Sequence, residues 1–82
     1  MKYKIHFKPQ SLKDFEALSL KFQKHILARI EDLRDNLHGD VKRLNDFAPE
    51  FRLRVGDYRV LFEIEKDAII IYRIRHRRDA YR

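Results

Sequence analysis

Residues 2–8 alternate strictly, with Tyr3, Ile5 and Phe7 on one face and Lys2, Lys4, His6 and Lys8 on the other. A period of two is that of a half-buried strand. Pro9 ends the pattern, because proline has no N–H to give to a ladder. Ser11 followed by Asp14 has the form of a helix start, with a hydroxyl for free N–H groups and an acid in the first turn. Leu12, Phe15 and Leu18 then recur at helical spacing, as do Phe22, Ile26, Ile30, Leu33 and Leu37. The spacing predicts helices over about 11–18 and 20–37, broken near Ser19, or one longer helix. Lys21, Lys24, Arg29, Glu31, Asp32 and Arg34 supply the solvated face. Gly39 stands where a C-terminal glycine cap belongs, and residues 39–49 read as a polar connector ending in Pro49.

Alternation resumes after the connector. Phe51, Leu53 and Val55 interleave with Arg52 and Arg54; Gly56-Asp57 makes a tight turn; Tyr58, Val60, Phe62 and Ile64 alternate again. Glu65-Lys66-Asp67 reverses the chain into Ala68-Ile-Ile-Ile-Tyr-Arg-Ile-Arg75, an apolar run of the kind found in central strands covered on both faces. The order β-α-α-β-β-β predicts an α+β fold, a helical hairpin packed on one face of a small, mainly antiparallel sheet. Residues 1–82 are expected to form a single domain without repeats or low-complexity segments.

Composition narrows the partners. The chain carries a formal charge of +6 and has no cysteine. The charge favours polyanionic or acidic partners, and the missing thiols exclude disulfides and thiolate metal sites. The first residues lack the apolar core of a signal peptide, and no stretch approaches the roughly 18 apolar residues of a membrane span. A soluble, cytoplasmic protein with no membrane partner is the expectation.

The basic residues are segregated. Of eleven arginines, eight lie in residues 50–82, whereas seven of eight lysines precede residue 50. Arg52 and Arg54 share a strand face opposite Phe51, Leu53 and Val55. Arg59, just past the turn, is out of phase with its apolar neighbours; Arg73 and Arg75 follow on the next strand, and Arg77 and Arg78 in the tail. These residues predict a guanidinium patch on an uncovered sheet face. Arginine suits such a site because its planar fork binds phosphate oxygens in pairs and stays charged. The alternative is that they are solvated strand residues guarding a sheet edge.

His76 is the histidine inside this cluster. Positive neighbours favour its neutral imidazole, which is able to accept a proton, although a plain surface role is equally open. Tyr81 is placed to stack on a base, as aromatics in single-strand RNA recognition do, or else simply to pack. His6, His25 and His38 are scattered, so no metal or cofactor is expected. The chain has no glycine-rich phosphate loop, no Ser-His-Asp set and no paired catalytic carboxylates.

Phe51-Arg-Leu-Arg-Val-Gly-Asp-Tyr-Arg-Val-Leu-Phe-Glu-Ile64 and Ile74-Arg-His-Arg-Arg-Asp-Ala-Tyr-Arg82 resemble the signature of the RelE/ParE toxin superfamily. Lys4-Ile-His-Phe and the helical pair extend the resemblance over essentially the whole chain. It implies the toxin of a type II toxin–antitoxin pair, held by a cognate antitoxin that mainly sets its oligomeric state. RelE-like members cleave mRNA in the ribosomal A site by attack of a 2′-hydroxyl on the adjacent phosphate. ParE-like members share the fold and inhibit DNA gyrase without nuclease residues. Fold alone does not separate the two branches.

By position, Arg52 and Arg54 stand where RelE-type nucleases carry strand lysines, and Arg59 matches the phosphate-binding arginine. Arg75 or Arg77 matches the second catalytic arginine, and Tyr81 the stacking tyrosine. This basic set favours the RelE branch. Arginine deprotonates far less readily than lysine, so His76 would take the role of base or acid. Some relatives use a carboxylate from the connector, where this chain has Lys42 and Arg43.

Overall fold

The computed structural model describes residues 2–78. Strand β1 (Lys4–Phe7) is followed by helices α1 (Pro9–Glu16) and α2 (Leu20–Arg34) and by strands β2 (Asp40–Arg43), β3 (Phe51–Val55), β4 (Tyr58–Glu65) and β5 (Ala68–His76). The sheet order is β1-β5-β4-β3-β2, with β1 parallel to β5 and every other pair antiparallel. The helices cover one face. Ile26, Ile30 and Leu33 of α2 meet Leu53, Val55, Val60, Phe62, Ile69, Ile71 and Ile74 in one buried cluster. That is the α+β architecture predicted by the alternation, with a strand added inside the connector.

The added strand is β2. It offers Val41 alone to the core, which is why its sequence reads as polar linker. It is held as an edge strand by its ladder to β3, Asp40 opposite Arg54 and Lys42 opposite Arg52. The helix limits also differ from the predicted ones. Helix α1 begins at Pro9, whose fixed φ and missing N–H suit a first helical position. Ser11 lies inside that helix and donates its hydroxyl back to the Lys8 carbonyl at 2.7 Å. Helix α2 stops at Arg34, not Leu37, because Asn36 and Leu37 turn left-handed at φ 67° and 60°. Asparagine tolerates that region better than most residues. Gly39, at φ 130°, therefore caps no helix; a Cβ there would meet Leu53 Cδ1 at 2.8 Å.

One irregularity decides where the arginines point. Ile69 and Ile71 pair with Ile64 and Phe62 on the core face, and strict alternation would send Arg73 and Arg75 there too. The β4–β5 register instead shifts between Leu61 and Phe62, leaving Tyr72 as the extra residue. Beyond this bulge Ile74 faces the core opposite Val60, and Arg73 and Arg75 turn to the open face. The run Ile69-Ile70-Ile71 is thus not covered on both sides; Ile70, half-buried, lies opposite Glu63 on the open face.

Candidate functional site: an arginine row on the open sheet face

Arg54, Arg59 and Arg75 are direct cross-strand partners on β3, β4 and β5. Adjacent strands are about 5 Å apart, so three guanidinium stems rise from one line roughly 10 Å long. Like charges directly opposite one another repel, and the fold bears that cost. Among the described residues none of the three forms an ion pair with a carboxylate.

Arg59, at the centre, is 8% exposed. Its Nη1 donates to the Gly56 and Tyr58 carbonyls, each at 3.1 Å, so the side chain curls over the β3–β4 turn. Its Nε is buried with no acceptor among the described residues. A buried cation with an idle donor and no counter-charge is unstable until an anion arrives. Gly56, at φ 59°, supplies the left-handed residue that this two-residue hairpin needs.

The flanking arginines are committed elsewhere. Arg52, its side chain 12% exposed, donates Nη1 to the Asp40 carbonyl at 2.9 Å and to Asp40 Oδ1 at 3.2 Å. Arg73 donates Nε and Nη2 to the Asp14 carboxylate at 2.8 and 3.3 Å. Asp14 also accepts the Ile74 N–H at 3.0 Å, where β5 runs on past the end of β1. Desolvation pushes the Asp14 carboxyl up, but hydrogen bonds from Arg73, Ile74 and Gln10 outweigh it and hold the group below its ordinary value. The same carboxylate raises Arg73. Asp14, read from sequence as part of a helix start, is instead the tie between α1 and the arginine-bearing end of β5.

His76 is set apart from the row. It lies opposite Tyr58, in core phase, with the two rings edge to face at 5.5 Å. It therefore stands on the helix-bearing face, whereas its neighbour Arg75 stands on the open one. The Arg78 N–H donates to His76 Nδ1 at 3.3 Å, so the neutral imidazole carries its hydrogen on Nε2. In that form Nδ1 is engaged by the backbone and Nε2 offers a donor. Arg77 sits in the turn after β5, its N–H donating to the Asp57 carbonyl at 2.6 Å. Tyr81 lies outside the described residues. The structure thus brings together Arg54, Arg59 and Arg75, holds Arg52 beside them through Asp40, and places His76 across the sheet.

On the open face Glu63 is the nearby acid of β4, but its carboxylate accepts the Glu50 and Ile64 N–H groups at 3.2 and 3.0 Å. The row therefore has the chemistry of charge stabilisation more than of proton transfer. No helix among the described residues is long and apolar enough to cross a membrane.

The sequence and the fold both match known proteins. A sequence model of the family described as "ParE toxin of type II toxin-antitoxin system, parDE" matches residues 5–81. Toxin RelE3 of Methanocaldococcus jannaschii is 30% identical over 83 residues, covering 95% of this chain and 94% of that protein. Among solved structures, the RelB-RelE antitoxin-toxin complex from Methanococcus jannaschii superposes with TM-score 0.76 at 30% identity, over 93% of this chain and 94% of that one. The RelBE2 toxin-antitoxin complex from Mycobacterium tuberculosis gives TM-score 0.79 at 25% identity, over 93% and 99%. The chain belongs to the ParE toxin family within the RelE/ParE superfamily, the toxins of type II toxin–antitoxin systems.

Proposed function

We propose that this toxin is a ribosome-dependent endoribonuclease that cuts mRNA in the A site. The observation that carries the reading is the Arg54–Arg59–Arg75 row, with Arg59 buried and opposed by no carboxylate among the described residues. The 2′-oxygen attacks the adjacent phosphorus, the bond from phosphorus to the 5′-oxygen breaks, and the hydroxyl proton ends on the departing 5′-oxygen. The products are a 2′,3′-cyclic phosphate and a 5′-hydroxyl. Arg59 and Arg75 hold the non-bridging oxygens as negative charge grows on them, and Arg54 holds the backbone beside them. Arg52 steadies the β2–β3 edge through Asp40, Arg77 is the alternative second clamp, and Tyr81 stacks on the base. His76, which stands across the sheet, is the group that would shuttle this one proton from the 2′-oxygen to the 5′-oxygen where the strand rounds the sheet end. With no dedicated base, positioning by the ribosome supplies part of the barrier reduction.

The toxin acts in the cytoplasm, and an acidic antitoxin inhibits it through contacts that weaken with salt. Primer extension on mRNA translated with the purified protein tests the activity. Cuts within A-site codons that vanish with Arg59→Ala are the expected result, and their absence from the wild-type reaction would remove the reading.

A second reading has one specific support, the match to a family described by its ParE members. On it the arginine row is a binding surface for DNA gyrase and carries no chemistry. Loss of supercoiling with translation intact would favour this reading, and Arg→Lys changes at positions 59 and 75 would then be tolerated.

A further inference from the structure

On the helix-bearing face, opposite the arginine row, α2 and the β3–β4 turn enclose a cleft of about 430 Å³. Ile26 and Val55 form its floor, and Phe22 and Tyr58 its walls, with ring centroids 5.3 Å apart. His25, Asp57 and His76 stand at the rim. Phe22 is 41% exposed, a large apolar area for a ring beside core residues.

We propose that this cleft receives one apolar side chain carried on an acidic segment of a partner protein. The proposal rests on the reading that an acidic antitoxin restrains this toxin, and it assigns that partner an anchor point. Three observations select this occupant. The floor is apolar and the lining carries Asp57 but no arginine or lysine, whereas the arginines that suit RNA lie on the opposite face. The chain is strongly basic, at +6, so an acidic carrier is attracted from a distance. The cleft also meets the arginine row at the sheet end: Tyr58 adjoins Arg59, His76 adjoins Arg75, and Asp57 accepts the Arg77 N–H. A segment anchored here and continued round the sheet end brings its carboxylates toward those guanidiniums. One apolar anchor thus becomes a block of the row.

The test uses two capped peptides, Glu-Glu-Phe-Glu-Glu and Glu-Glu-Ala-Glu-Glu, titrated into the unaltered chain while the imidazole resonances of His25 and His76 are followed. The phenylalanine peptide should bind about tenfold or more tightly than the alanine one, the gain from burying one aromatic side chain. It should shift both imidazoles, and Phe22→Ala should abolish the preference. Equal affinities, with shifts confined to the arginine side chains, would overturn the cleft while leaving the acidic-partner reading intact. Binding of neither peptide would overturn both. Movement of His25 and His76 by a uridine oligonucleotide and not by the peptide would also overturn the proposal, since the occupant would then be RNA.

Discussion

Replacing Asp14 by alanine removes the tie that fixes the arginine end of β5. The carboxylate is 13% exposed and accepts three hydrogen bonds from β5, two from Arg73 and one from the Ile74 N–H. Arg73 is 36% exposed and will recover much of its loss from water, so the ion pair itself contributes little, under about 1 kcal/mol. The Ile74 amide lies beside buried core and its stranding costs about 1–3 kcal/mol. Alanine returns about 0.5 kcal/mol in helix propensity. The net cost is about 2 kcal/mol, a fall of roughly 1–2 M in the urea midpoint with unchanged slope. The pH dependence identifies the group. Its pKa is held below the ordinary carboxylate value of 3.8, so its stabilisation is complete above that value and is lost as pH falls through the lowered pKa. The gap between wild type and Asp14→Ala should be full at pH 7 and narrow below about pH 4. Hydrogen exchange at the Ile74 amide should quicken before the rest of β5 opens. A gap that stays constant across that range, or that is absent at pH 7, would refute the reasoning.

Arg59→Met keeps the side-chain length and removes, from between two like charges, a buried cation that no carboxylate among the described residues opposes. It should stabilise the fold by about 1–3 kcal/mol in thermal or urea unfolding. Gly39→Ala should destabilise by roughly 1–3 kcal/mol in the same assay, because φ is 130° and the new Cβ meets Leu53, which is fully buried. Affinity for a single-stranded RNA oligonucleotide should fall with salt, and Arg54→Ala should lower the log–log slope by about 0.7, the value of one phosphate contact.

Much of the fold was legible because its strands carry one buried face each and its helices a regular apolar stripe. Strand β2 was not, since an edge strand with Val41 as its one core residue has no periodic signal. The helix start at Pro9 was available from proline's preference for the first helical turn. The phase of Arg73 and Arg75 was the hardest point. A continuous apolar run contains no alternation from which to see that Tyr72 is extra, and on that bulge depends whether two arginines face solvent or core. The same slip puts His76 across the sheet from the row it adjoins in sequence. Arg52 and Arg73 looked free because their acids, Asp40 and Asp14, lie 12 and 59 positions away. Only the paired register of three strands singles out Arg54, Arg59 and Arg75.

The central claim is that Arg59 works on a phosphate at a cost to the fold, and cleavage by a folded variant that lacks only that cation tests it. Programmed ribosomes carrying a defined A-site codon are mixed with wild type or Arg59→Met, and the rate of appearance of the 2′,3′-cyclic phosphate end is measured. Loss of one preorganised donor to developing negative charge predicts a fall of about 100-fold or more, in a protein more stable than the wild type. Rates within about threefold of each other would contradict the account, because losing such a donor could not leave the rate so little changed.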